Sequence, residues 1–279
     1  MKKVVCEKVC KMSNRTISLT FGDAGENHVG MEMIGEKGEK GEGFTCDELQ
    51  RLTSALGGEY VSLGNNASIA IFRQIIDVPV QNRMLDELSF DWDNKYYDTR
   101  RSRVLNKLAR HNVLFMEGVE RAPDYENKCG SIIDSSKLVC FSEVKRDLFE
   151  KFSRVIGGKK FENIICEGNL YYDNSKCGIG FHGDKERVRV IALRLGKEMK
   201  MKWQWFQNSV PVFGEELVSY ETVFDGGDLY IMSEKAVGSD WMSRNHLTLR
   251  HSAGCDKYTV YKPKPAKKKA VKAAKSAKV

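Results

Sequence analysis

The apolar residues of this chain follow two different periods. Across "TCDELQRLTSALGG" (45–58), Leu49, Leu52 and Leu56 recur at helical spacing, Thr45 and Glu48 form a capping box, and Gly57 supplies the stop. Across "SEVKRDLFEKFSRVIGG" (142–158), Val144, Leu148, Phe152 and Val155 form a second stripe, with Ser142 as the expected cap. Short β-branched runs predict strands at 16–22, 28–35 and 68–75, the first two joined by a "DAGEN" turn. "GEKGEKGEG" (35–43) imitates collagen triplets, but it has no proline and too few repeats, so it predicts a loop. Segment 84–140 is charged and weakly periodic and predicts loops and short elements.

After Gly158 the period changes from 3.6 to 2. "NIICEGNLYY", "GIGFHGD", "RVRVIALRLG", "MKWQWFQ", "ELVSYETV", "GDLYIMS" and "RNHLTLRHSAG" follow one another, each bounded by Gly, Asn, Asp or Pro. No helical pattern interrupts them, which is the signature of an antiparallel sandwich or barrel. The expected class is α+β, with a mixed α/β region over 1–158 and an all-β core over 159–261. No linker separates the two, so they are expected to pack on one another rather than fold apart.

Composition adds three constraints. A chain of 279 residues that is 41% hydrophobic is large enough for a substantial core. No apolar run approaches the roughly 18–20 residues of a membrane span, and Glu7 and Lys8 break the apolar run of the N-terminus, which makes a poor signal peptide. With eight cysteines, this predicts free thiols in an intracellular setting, cytoplasmic or nuclear and not secreted. Cys6 and Cys10 lack a second ligand pair and do not read as a zinc site. The net charge is +7, but "KPKPAKKKAVKAAKSAKV" (262–279) holds eight lysines, which leaves the rest of the chain near neutral at −1. A Lys/Ala/Pro tail without large apolar residues predicts disorder. It suits either a tether to nucleic acid or a solubilising tail.

The candidate chemistry starts at "GIGFHGDKER" (178–187). His182 and Asp184, two apart at the end of a strand, share a face. Further on, in "SRNHLTLRHSAG", a regular strand would put Arg244, His246, Thr248 and Arg250 on one face and Leu247 and Leu249 on the other. Arginines on a core strand need anionic partners, and the guanidinium fork matches a carboxylate. A His/Asp pair plus such arginines suggests a non-haem iron site beside a bound diacid.

These residues carry a resemblance. Residues 169–254 are similar to the AlkB-like branch of the Fe(II)/2-oxoglutarate dioxygenases, in a divergent form with segments like those in chains of large DNA viruses and algae. Asn169 and Tyr171 match that family's Asn-x-Tyr, "GDLYIMS" its Gly-Asp strand, and Arg244, Thr248 and Arg250 its arginine strand, where His246 replaces an Asn. The resemblance implies a double-stranded β-helix, a jelly-roll relative, over 159–261. It implies Fe(II) held by His182 and Asp184, and 2-oxoglutarate held by Asn169, Tyr171, Arg244, His246 and Arg250, with O2 as co-reactant. The family's second histidine falls in a hairpin that here reads "EKAVGSDWMS" and has none. His251 is the expected third ligand and His246 the competitor; if His251 ligates, a regular pleat calls for a bulge or twist beside Arg250.

The implied activity is hydroxylation or demethylation of a nucleobase in DNA or RNA, which must be flipped or single-stranded. The N-terminal region would form a lid, with 110–115, Tyr125 and Trp92 as candidates. The near-neutral body leaves two alternatives: a protein hydroxylase on the same fold, and a non-enzymatic jelly-roll binding or virion protein with a degenerate iron site.

Overall fold

The computed structural model describes residues 14–263. Cys6, Cys10 and all but the first two residues of the basic tail lie outside the described residues. In chain order the strands are β1 (Thr16–Gly22), β2 (Ala24–Glu26), β3 (Met33–Gly35), β4 (Glu59–Gly64), β5 (Ala67–Phe72), β6 (Lys95–Asp98), β7 (Arg103–Asn106), β8 (His111–Met116) and β9 (Ile132–Asp134). They continue with β10 (Ile165–Tyr171), β11 (Gly178–His182), β12 (Val190–Gly196), β13 (Met199–Gln207), β14 (Val210–Pro211), β15 (Tyr220–Phe224), β16 (Leu229–Met232) and β17 (Thr248–Gly254). The α-helices are α1 (Cys46–Leu56), α2 (Val78–Glu87), α3 (Val139–Ile156) and the single turns α4 (Glu234–Val237) and α5 (Asp256–Thr259).

The class is α+β. Eight strands form one sheet in the order β4-β5-β16-β12-β1-β10-β8-β9, antiparallel but for the β8–β9 pair. A second sheet runs β11-β17-β13-β14, with β15 also on β13. Period-two alternation sorts the large sheet's two faces. Ile17, Leu19 and Phe21 of β1 and Ile191, Leu193 and Leu195 of β12 pack under α1, α2 and α3, against Leu49, Leu52, Met84, Leu148 and Phe152. The residues between them face the other way. Val190 and Ala192 join Ile69, Ile71, Tyr230 and Met232 against Met199, Met201, Trp203, Trp205, Leu249 and Ala253 of the smaller sheet. The layers are therefore helices, large sheet and small sheet.

The textural boundary at residue 158 does not divide the sheet. β1 lies between β12 and β10, pairing Leu19 with Leu193 on one side and with Gly168 on the other, and β5 pairs with β16. Strands from both parts of the chain build one sheet.

Local signals account for most elements. Thr45 and Glu48 exchange their side chain–backbone hydrogen bonds at the start of α1, and Gly57 ends it at φ 75°. α3 begins three residues before the expected Ser142 and has no side-chain cap of its own. The Glu87 carboxylate at the end of α2 accepts instead from the amides of Cys140 (2.8 Å) and Phe141 (3.0 Å). α2 itself was not expected: its first six residues precede the segment 84–140 and its last four fall within it, and it is opened by Asp77 with proline in its first turn. The expected strand 28–35 shrinks to β3. Among the described residues the six cysteines are all free, and no helix is long and apolar enough to cross a membrane.

Candidate metal centre

β11 and β17 pair at the rim of the small sheet, with His182 opposite His251 and Ile179 opposite Ala253. Three steps on β11 match two on β17, so β11 carries one extra residue, a bulge. The bulge turns both Ile179 and His182 inward, while Phe181 between them packs outward against Phe206, the rings tilted by 57°. On β17 the pleat is regular, and Leu249, His251 and Ala253 face in. The bulge thus lies on the partner strand rather than beside Arg250. The chain leaves β11 after His182 and turns at Gly183, where a Cβ would overlap the Gly238 carbonyl oxygen. The Asp184 amide then donates to Val237 O at 3.1 Å. The segment "EKAVGSDWMS", which lacks the expected histidine, is the turn against which the Asp184 loop docks.

His182, Asp184 and His251 converge, each offering a ligand atom within 4.8 Å of the others. Asp184 Oδ1 lies 3.6 Å from His182 Nε2 and 3.7 Å from His251 Nε2. His182 Nδ1 donates to the carbonyls of Gly180 (2.8 Å) and His251 (3.1 Å), which leaves its Nε2 lone pair toward Asp184. His251 Nδ1 is buried without a partner. Burial lowers the pKa of both histidines, with Asp184 opposing at His182 and the positive neighbours Arg187 and Arg194 adding to the effect at His251. Neutral imidazoles and a carboxylate are the donor set that a divalent transition metal takes, so the residues fit such an ion.

Behind Asp184 lies a buried charge network. Arg187 reaches Glu167 at 2.6 Å, Glu186 at 3.0 Å and Asp184 Oδ2 at 3.9 Å. Burial opposes its charge, but Asp184, Glu167 and Glu186 outweigh it and raise its pKa. Burial likewise pushes Glu167 up, and Arg187 and Arg110 more than offset it, so its carboxyl stays below the usual range. Arg187 therefore occupies the far side of Asp184 and leaves Oδ1 facing the two histidines.

The three ligand residues open into a cavity of about 300 Å³ between the two sheets. Asn169 and Tyr171, expected there, line it. Asn169 accepts from Arg110 Nε at 2.6 Å and donates to Glu167 at 3.1 Å. Arg244, His246 and Arg250 are not brought to it. Arg244 and His246 are exposed in a turn before β17 begins. Arg250 alternates with His251 and so points to the outer face, where its guanidinium lies 4.7 Å from the Phe206 ring centre and donates to Trp241 O at 3.4 Å. Of the expected lid residues, Trp92 is buried under the large sheet, Val113, Leu114 and Phe115 are core, and Tyr125 donates to Asp93. Arg110 alone of that group lines the cavity.

No family model matches the chain. An uncharacterized protein of Acanthamoeba polyphaga mimivirus is 36% identical over 261 residues, covering 87% of this chain and 97% of the viral protein. The chain belongs to that protein's family. The match is far longer than the 103 residues of the all-β part, so it takes in sequence of the helical layer as well as of the strands.

Several residues of this family member's cavity had no signal in the sequence. Arg187 closes "GIGFHGDKER" and Glu167 lies in "NIICEGNLYY", but nothing in either string marks them as a pair. Arg194 and Tyr230 lie inside "RVRVIALRLG" and "GDLYIMS", where alternation points them inward with the apolar positions.

Proposed function

We propose that this chain is an Fe(II)- and 2-oxoglutarate-dependent oxygenase of the double-stranded β-helix type, acting on a nucleobase in single-stranded or flipped nucleic acid. The observation that carries the reading is the His182–Asp184–His251 group, two imidazoles and one carboxylate lining a cavity between two sheets. This donor set suits Fe(II) and leaves positions free for an organic acid and O2, whose chemistry the metal supplies when bound. Methyl group, 2-oxoglutarate and O2 would become hydroxymethyl group, succinate and CO2.

The chain's own part is positional. The His182 Nδ1–H bonds fix that ring, Arg187 steadies Asp184, and the two sheets keep bulk water from the centre. A nucleic acid is favoured over a peptide by the β6–β7 hairpin. It exposes Lys95, Arg100, Arg101 and Arg103 against a single carboxylate, Asp98. It reaches the cavity because Tyr96 stacks on His28, a lining residue, at 3.7 Å between ring centres. Arginine forks suit phosphates, and a flat ring pair suits a base.

Succinate release with Fe(II) and 2-oxoglutarate tests this, using methylated single-stranded oligonucleotides beside a peptide panel. Turnover stimulated by the oligonucleotides and lost in Asp184→Ala is expected. Stimulation by peptides alone moves the substrate to proteins, and no turnover with any of them overturns the oxygenase reading.

A further inference from the structure

We infer that Arg194, with Tyr230, forms the anion site of this cavity and takes the carboxylate of a small organic acid, in place of Arg244 and Arg250. The inference rests on the oxygenase reading only for the identity of that acid; the site itself stands on Arg194. This side chain is 2% exposed and projects from β12 toward the small sheet, beside Ser18 of β1. Its Nε and Nη1 have no hydrogen-bond partner, Nη2 meets the Met201 sulfur at 3.5 Å, and the guanidinium also lies within hydrogen-bonding reach of the Tyr230 hydroxyl. No carboxylate among the described residues pairs with it, although ion pairs hold Arg187 and Arg189 nearby on the chain. The rings of Tyr230 and Phe224 lie 5.6 and 6.0 Å from its guanidinium.

A buried, unpaired guanidinium is costly. Ring faces recover part of that cost, but they do not satisfy the N–H groups of a side chain that lines a cavity. An anion does. Burial pushes the Tyr230 phenol up to about 12 despite the opposing charge of Arg194, so at neutral pH it is a hydroxyl donor next to the guanidinium. Arg194, Tyr230, His182, Asp184 and His251 all line one cavity, and Arg194 is near enough for its charge to act on His251. A short diacid can span this arrangement, one carboxylate on Arg194 and the other end at the histidines. The outward-facing Arg250 can do neither.

The test is ligand-induced thermal stabilisation of the full chain without metal, using succinate, 2-oxoglutarate and acetate as probes. Fe(II) binding is measured separately. The wild type should be stabilised by both diacids more than by acetate. Arg194→Leu should weaken diacid binding by roughly 10- to 100-fold, the cost of a charged hydrogen-bond pair, while its ligand-free melting temperature stays level or rises. Arg194→Lys should retain part of the affinity, Tyr230→Phe should lose a smaller part, and Arg250→Leu should bind as the wild type does. Equal diacid affinity in Arg194→Leu and the wild type overturns the site and makes Arg194 a residue held by ring stacking alone. If Arg194→Leu does not fold, undiminished affinity in both Arg194→Lys and Tyr230→Phe overturns it equally. Diacid binding without Fe(II) binding would sink the oxygenase reading and leave the anion site standing. Fe(II) binding with no response to any diacid would do the reverse.

Discussion

His28 lies at the mouth of the cavity, stacked on Tyr96, where burial and the positive charges of Lys107 and Arg110 outweigh Asp98 and push its pKa down to about 4. Unfolded, it would take up its proton near 6.5. Protons then bind the unfolded chain first as pH falls, so the contribution of His28 is full above about 6.5 and drains away toward 4. By pH 5 the loss is about 2 kcal/mol at most. Urea midpoints at pH 7 and pH 5 should therefore differ less in His28→Gln than in the wild type; an unchanged difference rules His28 out as a source. At the metal centre, His251→Ala should lose divalent-metal binding measured by calorimetry, and His246→Ala should not, since His246 is exposed in a turn. His182 and Asp184 were legible because they sit two apart beside a strand end in a histidine-poor chain. His251 was legible only as the neighbour of Arg250, against the face that a regular pleat assigns it. Arg244 and His246 drop out because β17 starts at Thr248 and not four residues earlier, and Arg250 drops out because it lies on the outer face of that strand. Its alternation with His251 was plain in the sequence, but nothing there said which of the two faces was inside.

At the scale of elements, partners distant in sequence decide what local signals leave open. The start of α3 is held by Glu87, a cap from another helix that no local pattern announces. Glu87→Ala should cost about 1 kcal/mol in denaturant unfolding, as loss of a helix cap does, and Ser142→Ala should cost less, because the Ser142 hydroxyl donates to Ser135 O and caps nothing. The capping box of α1 was readable because both of its members are local. The bulge in β11 was not, since an extra residue shows only against the partner strand. Gly183 is the element-level link to the chemistry. Gly183→Ala would force the Asp184 loop off the Gly238 turn, so it should reduce metal affinity far more than it lowers the melting temperature. Equal losses in both would mean that the turn serves the fold and not the site.

The whole molecule is tied together by one early strand. The change of texture at 158 suggested two regions, and α1 and α3 were foreseen as helices from their apolar stripes. What the sequence withheld was that β1 sits between β10 and β12, because strand order is not written in any local pattern. A fragment starting at residue 159 should therefore fail to give a cooperative unfolding transition; a cooperative fragment would show that β10 and β12 can close on each other. The same position has a consequence during synthesis. β1 leaves the ribosome well before either of its neighbours, alternating between large apolar and small polar side chains, with both of its edges bare. Its neighbours are made only as residues 165–171 and 190–196 emerge, roughly 10–30 s later at ordinary elongation rates. For that interval the strand is open to pairing with any other exposed strand edge, so nascent chains of this protein should depend on a chaperone that shelters β1 until the sheet can close around it.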